Sequence, residues 1–317
     1  MKELGGYLEL EKANGKVYHP DAIALNSGRA CLEYLINAKN IKKLYIPYFL
    51  CNSISELCSK CRCEYEYYNI TTDFQMDFNI SLKENEYLYI VNYYGQIDNA
   101  KIEGYKKTFG NIIIDNAQAF FQYPYANADT LYTCRKFFGV ADGGYLYTDL
   151  QIGYELKTDV SIDKMKHILG RFEKDASTFY NVYVKNENTF QYAELMNMSK
   201  LTENLLQGVD YERVKSQRKE NFEYLHSILK KRNKLNLIIP DGAFMYPLYI
   251  DNGVQLKKKL IENRIYVPTL WADVFNVADK SMLEYDMAEN IVPLPTDQRY
   301  NIDDMKYIIR KIEEKQT

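Results

Sequence analysis

Two neighbouring stretches decide how this chain is read: Ile112-Ile-Ile-Asp-Asn-Ala-Gln-Ala-Phe-Phe121, and Ala128-Asp-Thr-Leu-Tyr-Thr-Cys-Arg-Lys-Phe-Phe-Gly-Val-Ala-Asp-Gly-Gly-Tyr-Leu-Tyr-Thr-Asp149. Three consecutive isoleucines closed by an aspartate predict a strand buried on both faces and ending at a carboxylate. The runs TLYT and GYLYT alternate in polarity on either side of Asp142-Gly143-Gly144, which predicts two strands joined by a turn. Outward from these, residues 20–150 alternate short apolar runs with helical patterns, the mark of an α/β layered domain.

Ala22–Leu25 reads as a first strand, followed by Asn26-Ser27-Gly28 and a helix over RACLEYLINAK with Ser27 as its cap. KKLYIPYF is a strand stopped by Pro47, NSISELCSKC a helix, EYEYYNI a strand, and YLYIVNYYG a buried strand running to Gly95 before a polar stretch. From about 160 to 235 the pattern is helical and charged. The tail (LIIPDGAFMYPLYI, VQLKKKLIENRIYVPTLW, DDMKYIIRKIEEK) reads strand, helix, strand, helix. The expected architecture is a large domain, 1–205, with a mostly parallel sheet flanked by helices, and a small C-terminal α+β domain, 206–317.

The 317 residues, 46% hydrophobic and 26% charged, exclude a disordered or fibrous chain. Forty basic and 43 acidic residues leave a net charge of -3 with no basic stripe, so nucleic acid is not an expected partner. Three scattered histidines give little material for a histidine metal site or a Ser-His-Asp relay. No apolar run reaches the roughly 20 residues that span a bilayer. Six cysteines without a leader-like start point to a reduced cytoplasm. Cys58, Cys61 and Cys63 are either thiolate ligands lacking a second pair or free thiols at a helix end. The 30 tyrosines suit interfaces and the walls of polar pockets.

Three places can carry chemistry. Asp115 at a buried strand end is either a partner for a ligand cation or the cap of a following helix. Lys136, near a strand end beside Arg135, is either an amine nucleophile or a solvated surface charge. Ser27-Gly28 before a helix, with Arg29 at hand, is either a phosphate cradle or an ordinary cap. Together, a phosphate cradle, a buried carboxylate and a lysine about twenty residues beyond it are the parts of a pyridoxal 5'-phosphate (PLP) site.

The sequence resembles the DegT/StrS family of sugar aminotransferases, of the aspartate-aminotransferase-like fold (fold type I). The likeness rests on NSGRACLEYL, IPYFLC, VNYYGQ, IIIDNAQAFF, YTCRKFFGVADGGYL, MSKLTENLL and VPLPTDQRYNIDDMKYIIRKI, nearly the whole chain. It implies that Asp115 partners the pyridine nitrogen, that Gln118 contacts the ring oxygen, and that Lys136, six residues before Gly143-Gly144, carries the cofactor. It also implies that Ser27, Gly28 and Arg29 hold the phosphate. Leu131 stands where many members have a phosphate-binding serine, which moves that role to Thr133. The Asn-x-Arg-Met-Ser stretch appears as Leu195-Met-Asn-Met-Ser199, without the arginine. Phe49 or Tyr94 is the aromatic expected to cover the ring.

The resemblance implies transfer of an amino group from an amino acid donor, such as glutamate, to a keto-sugar, usually nucleotide-linked, for surface polysaccharide or glycan synthesis by a homodimer. A sugar dehydratase of this fold has a histidine in place of the lysine, against Lys136. A binding or regulatory protein that keeps the fold without catalysis is the other alternative. Trp271 reads either as a wall of the substrate mouth or as a packed aromatic of the small domain.

Overall fold

The computed structural model describes residues 4–314. Its strands are β1 (Ile23–Leu25), β2 (Lys43–Pro47), β3 (Glu64–Ile70), β4 (Met76–Asp77), β5 (Glu86–Val91), β6 (Ile112–Asp115), β7 (Asp129–Thr133) and β8 (Gly144–Tyr147), interleaved with α1 (Gly28–Ala38), α2 (Ser53–Lys60) and α3 (Asn99–Phe109). The strands form one sheet in the order β1-β8-β7-β6-β5-β2-β3-β4. The centre is parallel, with Val91 opposite Asp115 and Asp115 opposite Leu131; β7–β8, β8–β1 and β3–β4 are antiparallel. The predicted α/β fold with a mostly parallel sheet is therefore present. Central strands are buried on both faces, which is why they read as unbroken apolar runs.

Three local expectations are corrected. YLYIVNYYG leaves the sheet at Val91, because Tyr94 (φ 53°) and Gly95 (φ 73°) bend the backbone into a 3-10 turn. The polar stretch after it contains α3, whose Asp98 carboxylate caps the Lys101 amide at 2.9 Å and whose chain stops at Gly110 (φ 69°). Only Ile102 of that helix is buried, so no apolar stripe marks it. Lastly, IYVPTLW forms no strand: Pro268 cannot donate to a ladder, and the partner strand comes later in the chain.

Beyond β8 come α4 (Lys166–Glu173), α5 (Tyr180–Thr189), α6 (Lys200–Gln207) and the long α7 (Tyr211–Leu229). A second sheet pairs β9 (Met245–Tyr249) with β10 (Ile291–Pro295) antiparallel, accompanied by α8 (Gly253–Glu262), α9 (Val274–Val277), α10 (Leu283–Asn290) and α11 (Ile302–Glu313). Helix α7 packs on α11 and β9 and buries Val214, Phe222, Leu225 and Leu229. Asn301 and Asp304 form a capping box at the start of α11. No described helix is long and apolar enough to cross a membrane.

Candidate active site

Strands β2, β5, β6 and β7 run parallel, and β1, antiparallel to the reversed β8, runs with them. Their carboxyl ends therefore share one edge. From β2 the chain goes outward to β3 and returns to β5 on the other side, so the order switches between β2 and β5, where α/β sheets open a crevice for ligands. The residues expected to form the PLP site follow or end strands at this edge. Ser27 and Gly28 follow β1, Phe49 follows β2, Tyr94 follows β5, Asp115 ends β6, Thr133 ends β7, and Lys136 occupies the next turn.

The cradle is built by close backbone approach. Ser27 Oγ accepts from the Ala30 amide at 3.0 Å, which caps α1, while Gly28 lies against Thr133 with room for a Cβ 3.6 Å from that of the threonine. A Cβ on Gly144 would stand 2.6 Å from the Ser27 carbonyl carbon, and Gly143 sits at φ +113°. Gly144 is thus required for β8 to lie against the Ser27–Gly28 peptide, and Gly143 for the positive-φ turn that leads into it beside Cys134 and Thr202. The first amides of α1 have no partner within the helix, so they and the helix dipole present positive potential beside the Thr133 hydroxyl. Two arginines flank them. Arg29 Nη1 donates to the Phe190 carbonyl at 2.8 Å, and Arg135 pairs with Glu187 under the Phe190 ring. Burial pulls Arg135 down to about 10, and the Arg29 charge acts in the same direction.

Asp115 is 9% exposed. Its Oδ2 accepts from the Tyr89 hydroxyl at 2.7 Å and its Oδ1 from the Ala117 amide at 2.8 Å. No lysine or arginine among the described residues forms an ion pair with it. No helix follows, so the capping alternative falls away: Asn116 to Phe121 form a turn in which the Asn116 amide bonds to the Leu131 carbonyl. Burial, reinforced by the Asp115 charge, pushes the Cys31 thiol and the Tyr89 phenol well up, so both stay neutral. The carboxylate is a buried charge with hydrogen-bond donors and no counter-cation, the environment a ligand N–H⁺ would complete. Gln118 Oε1 accepts from the Tyr94 amide at 2.8 Å, which orients the side chain and leaves its NH₂ without an acceptor among the described residues.

Lys136 is exposed and makes no hydrogen bond or ion pair with a described residue; its Nζ lies 5.7 Å from the centre of the Phe244 ring. It lines a cavity of about 750 Å³ with Thr133, Arg135, His167, Arg171 and Arg299. Asp115 and Gln118 are not on that lining. Gln118 connects to it through packed rings: it holds the Tyr94 amide, the Tyr94 ring is 6.5 Å from that of Phe244, and Phe244 faces Lys136.

The two aromatic candidates belong to one cluster. Phe49 lies 4.5 Å from Trp271 and 5.3 Å from Tyr93, ring centre to ring centre, and Tyr94 lies 5.7 Å from Trp271. Tyr94 is fully buried at φ 53° with its hydroxyl unpartnered, and Trp271 holds φ 55°. Left-handed backbone at two bulky residues is strain, which persists where the surroundings impose it and collects at ligand sites. Trp271 packs on Phe49, Tyr93 and Tyr94 at the sheet edge. Sequence reasoning missed Tyr89, which lies mid-strand with nothing in its spacing to mark it. The segment Leu195–Ser199 runs beside β1, with the Asn26 amide bonded to the Met196 carbonyl at 3.0 Å; Ser199 and Thr202 bind the buried Asp142.

Among the described residues no group of three or more His, Cys, Asp or Glu is placed to hold a metal ion. No protein-family model matches the chain, and no curated protein matches it. Solved structures do. A DegT DnrJ EryC1 StrS aminotransferase from Brucella abortus superposes with a TM-score of 0.63 at 14% identity, over 92% of this chain and 84% of that one. The sugar aminotransferase CalS13 from Micromonospora echinospora gives 0.62 at 12% identity, over 93% and 87%. The PLP-form of Spr1654 from Streptococcus pneumoniae gives 0.61 at 15% identity, over 93% and 86%. The chain has the fold of these aminotransferases.

Proposed function

We propose that this protein is a PLP-dependent aminotransferase of the DegT/StrS type that moves an amino group from an amino acid, glutamate in the first instance, to a nucleotide-linked keto-sugar. The observation that carries the reading is Asp115, a buried carboxylate without a cation, on the same sheet edge as a free lysine and an open helix N-terminus. The fold shared with sugar aminotransferases, one of them a PLP-form, supports it.

The residues present fit the cofactor. Asp115 would hold the protonated pyridine nitrogen, the free Gln118 amide the ring oxygen, and the Gly28 and Arg29 amides with Ser27 and Thr133 the phosphate. Lys136 would hold the aldehyde carbon. When bound, PLP supplies an electron sink for the carbon that loses its proton. The protein's part is positional and electrostatic. Asp115 keeps the ring nitrogen charged in a site where burial strengthens that interaction. The Lys136 amine would take the proton from the donor's α-carbon and deliver it to the cofactor's former aldehyde carbon. Arg171, without an ion pair among the described residues, offers the cavity a cation suited to a diphosphate or a donor carboxylate, with Arg135 and Arg299 beside it paired to Glu187 and Asp297.

Leu169, Phe172, Tyr180 and Tyr183, exposed on α4 and α5, support a homodimer that covers this face. The setting proposed is cytoplasmic synthesis of surface polysaccharide or glycan precursors. The test is purified protein with a panel of nucleotide keto-sugars and glutamate, with amine formation read by mass. The reading expects a yellow protein that bleaches with a donor; a colourless protein that binds no PLP and aminates nothing would sink it.

A further inference from the structure

Arg218, midway along α7, is among the largest fully buried side chains of the described residues. A buried guanidinium is costly unless each fork of its donors is satisfied, and such groups are ordinarily paired with a carboxylate. Arg218 has none. Its Nε donates to Gln298 Oε1 at 2.7 Å, Nη1 to the Ala243 carbonyl at 2.9 Å and Nη2 to the Phe137 carbonyl at 3.1 Å. The nearby Asp297 is engaged by Arg299 through two bonds of 2.6 and 2.8 Å. Burial draws the guanidinium down to about 10, with Asp297 opposing from a distance.

The acceptors are informative. Phe137 directly follows Lys136, and its carbonyl takes a second bond, from Gln298 Nε2 at 2.9 Å. The guanidinium also lies 4.6 Å from the centre of the Phe137 ring. Ala243 precedes Phe244, the residue whose ring faces the Lys136 ammonium. One cation thus grips the backbone next to the lysine and the backbone next to the ring that faces it, from a helix about 80 residues further along, and couples them to the loop before α11. A surface network would have no reason to bury a charge for three carbonyl-type acceptors.

We propose that Arg218, with Gln298, is a positioning residue for Lys136: it fixes the Cys134–Val140 turn and Phe244 so that the amine is presented in one orientation. This rests on the reading of Lys136 as the cofactor-bearing amine, and the test separates the two.

The unloaded protein is treated with PLP and cyanoborohydride, and labelling of each lysine is read by peptide mass, for wild type, Arg218→Lys and Arg218→Met. Backbone hydrogen exchange is followed at Phe137, Phe138 and Val140, whose amides bond within the turn at 2.9–3.0 Å. Wild type is expected to label first at Lys136. Arg218→Met, folded by circular dichroism, should lose that preference by about tenfold and exchange about tenfold faster at the three amides, the effect of a lost charged hydrogen bond. Arg218→Lys should recover part of both. If Arg218→Met does not fold, Gln298→Leu, which removes one grip on Phe137, should show the same changes in smaller measure. Unchanged exchange in the folded variant overturns the positioning role. Wild type that labels Lys136 no faster than other lysines overturns the cofactor reading, and exchange alone then decides on Arg218.

Discussion

Tyr89 donates its hydroxyl to Asp115 across two neighbouring parallel strands, at 2.7 Å, and among the described residues it is the only side-chain donor the carboxylate has. The pair is buried, so the phenol does for Asp115 what a cation does elsewhere, at lower strength. Tyr89→Phe should destabilise the unloaded protein by about 1–3 kcal/mol, since it strands a buried acceptor. Urea unfolding at pH 7, with and without PLP, would show it, and PLP should offset part of the loss.

Asp115→Asn keeps the shape and removes the charge. Under the proposed function it should still fold and bind PLP weakly, with turnover lower by about 10²–10³-fold, the range for a lost electrostatic group in a dry site. Steady-state kinetics with glutamate decides. Turnover within a factor of about three of wild type would remove Asp115 from the mechanism.

Lys136→Ala touches no buried partner, so thermal unfolding should be nearly unchanged. Borohydride treatment followed by intact mass should show PLP attached to wild type and absent from the variant, with no turnover. Activity in that variant would refute the role given to the lysine.

Trp271 is the single tryptophan of the chain and packs on Phe49, Tyr93 and Tyr94 at the sheet edge. Its fluorescence should fall on titration with PLP, with a midpoint matching the rise of visible absorbance. A titration that leaves the emission unchanged while PLP binds would place the cofactor away from this cluster.

His19 is buried, with Nε2 at 2.9 Å from the Phe120 carbonyl and Nδ1 at 3.1 Å from the Tyr147 hydroxyl. Burial lowers its pKa from 6.5 to about 4. The unfolded chain therefore takes up a proton as pH falls below 6.5 while the folded one does not, so this stabilisation is full above 6.5 and lost toward 4. Between pH 7 and pH 5 unfolding should become easier by about 2 kcal/mol on this account. His19→Gln should flatten that slope in urea titrations.

How much of this was legible follows from what each feature leaves in a linear pattern. The isoleucines of β6, the Ser27 cap and the paired glycines before β8 write their own requirements: burial on both faces, an amide to satisfy, a backbone with no room for Cβ. Helix α3 was missed because one buried residue makes no stripe, although Asp98 and Gly110 mark its ends. The strand expected at IYVPTLW was an apolar run without a free partner. Arg218 was invisible, since a lysine- and arginine-rich helix looks solvated until the carbonyls that surround one of its charges are in place.

The first strand reaches the sheet only through β8, and Phe137 is gripped by side chains at positions 218 and 298. Under the proposed function, a growing polypeptide on the ribosome has made the residues of the cradle by residue 136, but it lacks the side chains that hold the Phe137 carbonyl until positions 218 and 298 emerge. On that reading competence for the vitamin comes late in the chain, and truncations that stop short of Gln298 should be pale even when their large sheet is intact.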